Sequence, residues 1–174
     1  MKNPIITPRF IALSSLILIA AFARLIPHLP NFTPVLAIAL LGGSNFNSKT
    51  WAFIVPFATM LLSDLIIGFH NTMFAVYLGF AVAVLLGMMI RNKQKLATIT
   101  AATLISSVLF FIITNLGVWL SGSLYPQTTE GLVTCFINAL PFFKYSLLGD
   151  VFYSALLFGS FHLVQLKFPA LARS

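Results

Sequence analysis

Six apolar runs occupy most of the chain: residues 10–26, 33–46, 51–69, 73–90, 96–120 and 144–166. A helix needs roughly 20 mostly apolar residues to cross the hydrocarbon of a bilayer, and fewer when neighbours or snorkelling side chains help. A soluble domain keeps about a quarter of its residues charged. Here only 7% are charged and 59% are hydrophobic. Such a chain cannot cover a water-facing surface, but it suits one facing lipid. The expected fold is an all-α integral membrane protein, a single compact transmembrane bundle of about six helices over residues 1–174. The second run is short, about 21 Å at 1.5 Å per residue, so it tilts little or stops inside the membrane.

The formal charge of +7 comes without a basic face or an aromatic-basic array, which argues against nucleic acid. The positions of the charges carry a different message. Six spans put both termini on one side, and then Lys2, Arg9, Lys49, Arg91, Lys93, Lys95, Lys167 and Arg173 share that side, with only Arg24 and Lys144 opposite. Basic residues collect in cytoplasmic loops, so both termini are expected in the cytoplasm. Residues 2–23 also read as a secretory signal: basic residues, an apolar stretch and "AFA" at 21–23. Cleavage there would leave five spans. The apolar run continues past Arg24 and the charges fit six spans, which favours the uncleaved chain.

Between the fifth and sixth runs, residues 121–143 read as a long connection. Within it, 129–140 is expected to form a short interfacial helix bracketed by Pro126 and Pro141. Ala75, Gly79, Ala83 and Gly87 recur every four residues on the fourth run, a strip where another helix backbone can come close. Packing within the bundle is the expected use, and docking to a second membrane protein is the alternative. Ala39/Gly43 and Ala155/Gly159 repeat the spacing once each.

"RLIPHLPNFTP", residues 24–34, then becomes the first external loop, "GFHNT", 68–72, the second, and 121–143 the third. Each carries polar residues that a simple turn does not need: Arg24, His28 and Asn31; His70 and Asn71; Tyr125, Gln127 and Glu130. Asp64 and Asp150 lie in the outer parts of the third and sixth runs, and Asn115 and Trp119 share a face near the outer end of the fifth. Ser146, Asp150, Tyr153 and Ser154 line one stripe of the sixth. A carboxylate at membrane depth costs several kcal/mol unless paired or wet, so both aspartates should point inward. Arg24 can neutralise either one, purely to hold the bundle together. Taken as a group, these side chains describe a pocket open to the outside and floored by apolar residues.

Catalytic signatures are missing. There is no HExxH, no GxSxG, no glycine-rich phosphate loop and no Walker lysine, so neither an enzyme nor a cofactor is expected. His28 and His70 can approach each other, but two imidazoles without a fixed spacing do not define a metal site. No run is polar along its full length, which argues against a channel.

The stretches "RLIPHLPNFTPVLAIALLGG", "LLSDLIIGFH", "FAVYLGFA", "TNLGVWL" and "PFFKYSLLGDVFYSALLFG" resemble DUF6580, a family of small bacterial membrane proteins of transport type. These proteins in turn look like the substrate-binding S components of energy-coupling factor (ECF) vitamin transporters. The resemblance implies a six-helix protein of the bacterial inner membrane that captures a vitamin-like metabolite from outside. Solitary cobalamin transporters are the nearest analogy. It also implies a partner, an ECF-type transmembrane and ATPase module. The Ala-xxx-Ala docking motif of S components is missing from the first run, where Ala12 is followed by Leu16 and Ala20 by Arg24. A cobalt-ligating role for Cys135 has no supporting motif around it.

The expected substrate-binding residues are Arg24, His28, Asn31, Asp64, His70, Asn71, Asn115, Trp119 and Asp150. Arg24 would hold a carboxylate, the amides and imidazoles would supply hydrogen bonds, and Trp119 a flat wall. The alternatives are a structural subunit of a larger membrane complex and a small membrane enzyme using the aspartates.

Overall fold

The computed structural model describes residues 6–27 and 29–171, and these form six α-helices and two 3-10 turns without a strand. Helix α1 is Pro8–Phe22, prolonged by a 3-10 turn at Ala23–Leu25; α2 is Val35–Asn45, α3 Lys49–Ile67, α4 Met73–Met89, α5 Leu96–Leu120 and α6 Thr129–Lys167. A second 3-10 turn, Pro169–Leu171, follows. Four segments are long and apolar enough to cross a membrane: Pro8–Leu25, α3, α5 and α6. The outer faces of the helices carry exposed apolar side chains such as Ile66, Leu78, Ile105 and Leu156. Both features are compatible with a multi-pass membrane protein.

Helix α2 organises the bundle. Every one of its eleven residues is buried, and it packs against each of the other five helices. At about 17 Å it is far shorter than the roughly 30 Å of bilayer hydrocarbon. A helix that is apolar all round is either buried or faces lipid, and here the other five helices enclose it. Its neighbours reach it through small residues. Gly43 lies against Gly87 of α4, where a Cβ on Gly87 would sit 2.5 Å from the Leu40 carbonyl oxygen. Gly42 lies against Pro56, the fully buried proline inside α3. The strip on α4 is thus used inside the bundle: Ala75 meets Gly117, Gly79 faces the Phe110 ring, and Ala83 is buried.

The connection between α5 and α6 differs from expectation. Only residues 121–128 join them, and the interfacial helix and sixth span are one 39-residue helix. Its first turn is fixed by the Thr128 side chain accepting from Gly131 N–H at 3.1 Å. Pro141 lies inside the helix. A proline in a membrane helix removes one backbone donor yet need not end the helix, because neighbouring groups re-satisfy the freed carbonyl. At about 58 Å, α6 exceeds a bilayer core. Its first part packs back over α5 through Phe136 and Phe143 on Phe111, at 5.6 and 4.6 Å between ring centres.

The end of the bundle away from these turns is closed by a polar cluster. Arg9, nearly buried, donates from Nη1 to the Leu171 carbonyl at 2.6 Å and from Nη2 to the Asn45 side-chain oxygen at 3.1 Å. Gln94 donates to the Ser44 carbonyl at 2.9 Å, and Arg91 to that of Asn47 at 2.9 Å. The last carbonyls of a helix have no partners of their own and carry its negative end, so donors and cations gather there. The Arg9 contact also puts the start of α1 and residue 171 at the same end. Lys2 and Arg173 lie outside the described residues. Arg9→Met is expected to lower stability by about 2 kcal/mol. A thermal melt in detergent measures this, and an unchanged midpoint would show that the cluster does not hold that end shut.

Candidate functional site

A cavity of about 390 Å³ lies beyond the N-terminus of α2, in the space this short helix leaves unfilled. Val35 and Leu36 form its floor, and Phe110, Phe111, Phe142 and Phe143 its aromatic walls. Its polar lining comes from Arg24, Asn31, Thr33, His70, Thr114, Asn115, Ser146 and Asp150.

The 24–34 stretch both turns the chain and lines the cavity. Asn31 adopts φ 62, the left-handed conformation that asparagine tolerates better than most residues. Thr33 N–H then reaches the Asn31 carbonyl at 3.1 Å, and Pro34 leads into α2. The loop rests on α6 at Gly149, where a Cβ would lie 3.0 Å from Phe32 Cα. The Phe32 ring completes the seat against Phe152 and Tyr153, 5.6 Å from each.

The two aspartates, alike in sequence, have different environments. Asp64 is nearly inaccessible and does not line the cavity. Its Oδ1 pairs with Arg24 Nη2 at 2.8 Å, and its Oδ2 accepts from the Tyr77 hydroxyl at 2.9 Å. Arg24 Nη1 also donates to Ser63 Oγ. Arg24, not Asp64, faces the cavity, with Asp64 behind it as the positioning group. Asp64, expected among the substrate-binding residues, thus lies outside the cavity lining with its carboxylate engaged by the guanidinium and the phenol.

Asp150 is equally buried, at 3% exposure, yet it lines the cavity. Its Oδ2 accepts from Ser107 Oγ at 2.7 Å, below which Thr103 donates to Ser154 at 3.1 Å. Among the described residues Asp150 has no ion-pair partner; the pair at Asp64 uses Arg24.

The remaining expected residues divide. Asn115 lines the cavity, its Nδ2 donating to the Phe111 carbonyl at 2.8 Å. His70 stands at the exposed rim, with Nδ1 3.0 Å from Thr72 Oγ1. Asn71 is exposed and outside the lining, because the short turn at 68–72 points it away. Trp119 is no cavity wall either: its Nε1 donates to the Pro126 carbonyl at 3.0 Å and ties down the α5–α6 turn. His28 lies outside the described residues. Gln127 braces the same turn by donating to the Leu120 carbonyl at 2.9 Å. Cys135 is buried where α6 meets α5, 3.5 Å from the Asn115 carbonyl.

The sequence reading missed the aromatic walls and Thr114. Phe110 and Phe111 precede Asn115 by about one turn, and Phe142 and Phe143 precede Ser146 similarly, so spacing from a polar residue was the available signal. Among the described residues, no three His, Cys, Asp or Glu side chains gather as a metal site. A family model described as a family of unknown function, DUF6580, matches residues 5–171. No curated protein and no solved structure matches the chain.

Proposed function

The chain belongs to the DUF6580 family, and we propose that it is a multi-pass transport protein of the bacterial inner membrane that captures a small, vitamin-like metabolite. Its termini face the cytoplasm and its cavity faces outwards, an orientation supported by the distribution of basic residues. The carrying observation is the cavity beyond α2. Its volume falls in the usual range for small-molecule sites, and its apolar and aromatic walls hold a few convergent polar groups. The opposite end, closed by Arg9, Asn45, Gln94 and Arg91, supports binding from one side only. Movement across the membrane would then draw on a separate energising module or a solute gradient.

Native mass spectrometry of gently purified protein tests the reading, with a stoichiometric small molecule as the expected result. Ala139 borders the cavity without carrying any of its polar groups. Ala139→Trp should fill the space and reduce ligand retention about tenfold or more while leaving the fold intact. An empty wild-type protein that copurifies with a membrane partner would instead favour a structural subunit. For that reading the available surface is on α6, where Ala155 is exposed and a Cβ on Gly159 would meet nothing within 4 Å.

A further inference from the structure

We propose that the captured solute carries a positively charged nitrogen and that Asp150 receives it; this rests on the cavity being a solute site. The two carboxylates near the cavity are partnered unequally. Arg24 is offset by Asp64 at 2.8 Å, and Asp64 is further engaged by Tyr77. Asp150 has only neutral hydroxyls, those of Ser107 and Ser146, to stabilise it, and no cation of the described residues pairs with it. The N-terminus of α2 at the cavity floor supplies about half a positive charge, against a full negative charge on the carboxylate. Without a cation beside it, this carboxylate can carry its charge at membrane depth only at a cost of several kcal/mol. A cationic ligand removes that cost at the moment of binding.

The walls favour the same chemistry. Phe110, Phe111, Phe142 and Phe143 line the same cavity as Asp150. The face of an aromatic ring is electron-rich and attracts a desolvated cation. It has no comparable attraction for a carboxylate. An ammonium or heteroaromatic cation on a mainly apolar body would satisfy Asp150 and the rings together, with Asn115 and Thr114 available to its neutral polar groups.

Tryptamine, tryptophol and indole-3-propionate place an ammonium, a hydroxyl and a carboxylate on the same aromatic body. Titrated into the protein in nanodiscs, tryptamine is expected to bind about tenfold more tightly than tryptophol, with indole-3-propionate weakest. Asp150→Asn should erase the preference for tryptamine over tryptophol. Tryptophol or indole-3-propionate binding as tightly as tryptamine to the wild-type protein would overturn the inference while leaving the solute site standing. Binding of none of the three, together with an empty native mass spectrum, would overturn the solute site itself. The wild-type ranking decides between these outcomes even where Asp150→Asn fails to fold. Phe143→Leu then gives a second reading, a selective weakening of tryptamine.

Discussion

Gly43→Leu and Gly87→Leu should each abolish the monodisperse folded protein. A Cβ on Gly43 would overlap the Val84 carbonyl oxygen and lie 3.1 Å from Gly87 Cα; one on Gly87 would lie 2.5 Å from the Leu40 carbonyl oxygen. These obstacles are backbone atoms of two packed helices, so no rotamer change can clear them. Separating α4 from α2 would strain the shell on every side, because α2 is enclosed by five helices. Overpacking in a core costs about 1–3 kcal/mol when side chains can adjust. With backbone on both sides the cost should exceed the stability available to a domain of this size, about 5–15 kcal/mol at most. Size-exclusion profiles of fluorescent fusions read the result. Gly159→Leu is the matched control, since nothing lies within 4 Å of its Cβ. A normal profile for Gly43→Leu would mean that α2 and α4 do not cross at this contact.

The second large effect is at the Arg24–Asp64 pair. Removing one partner of a buried ion pair costs about 3–5 kcal/mol, because the remaining charge is stranded. Arg24→Ala leaves the Asp64 carboxylate with Tyr77 as its polar side-chain partner. Asp64→Leu leaves a guanidinium that still has Ser63 and the Met60 carbonyl. Arg24→Ala should therefore be the more harmful single change. The double variant Arg24→Ala/Asp64→Leu should recover much of the loss, since no charge then remains to be stabilised. Denaturation midpoints of the four proteins close the cycle. Additive losses would show that the two side chains do not act as a pair. Ligand retention should fall in any variant lacking Arg24, whatever its stability, because this residue faces the cavity.

How much of this was legible in the residues depended on interruption. Helix α5 spans 96–120, as expected, because 25 residues run without a charge or a proline. Helix α6 was divided in the reading because Pro141 and Lys144 interrupt its apolar pattern. In the structure neither breaks the helix. The polar end of the site was visible because arginine, asparagine and aspartate are conspicuous in an apolar chain. Which aspartate lines the cavity was not visible, since Asp64 and Asp150 sit at similar depths and are told apart only by partners distant in the sequence. The phenylalanines were hidden for the opposite reason: on an apolar helix, a ring facing a cavity and a ring facing lipid read alike. Arg9 was read as a loop charge, because nothing in its neighbours announces that it reaches Asn45.

That reach makes the molecule a cup with a fastened base. Arg9, Arg91 and Gln94 hold the base through carbonyl and amide oxygens, groups that neither take up nor release protons in the physiological range. Acidification therefore does not unfasten it. For the proposed solute to leave by the base, α1 and the α4–α5 turn would have to swing away together.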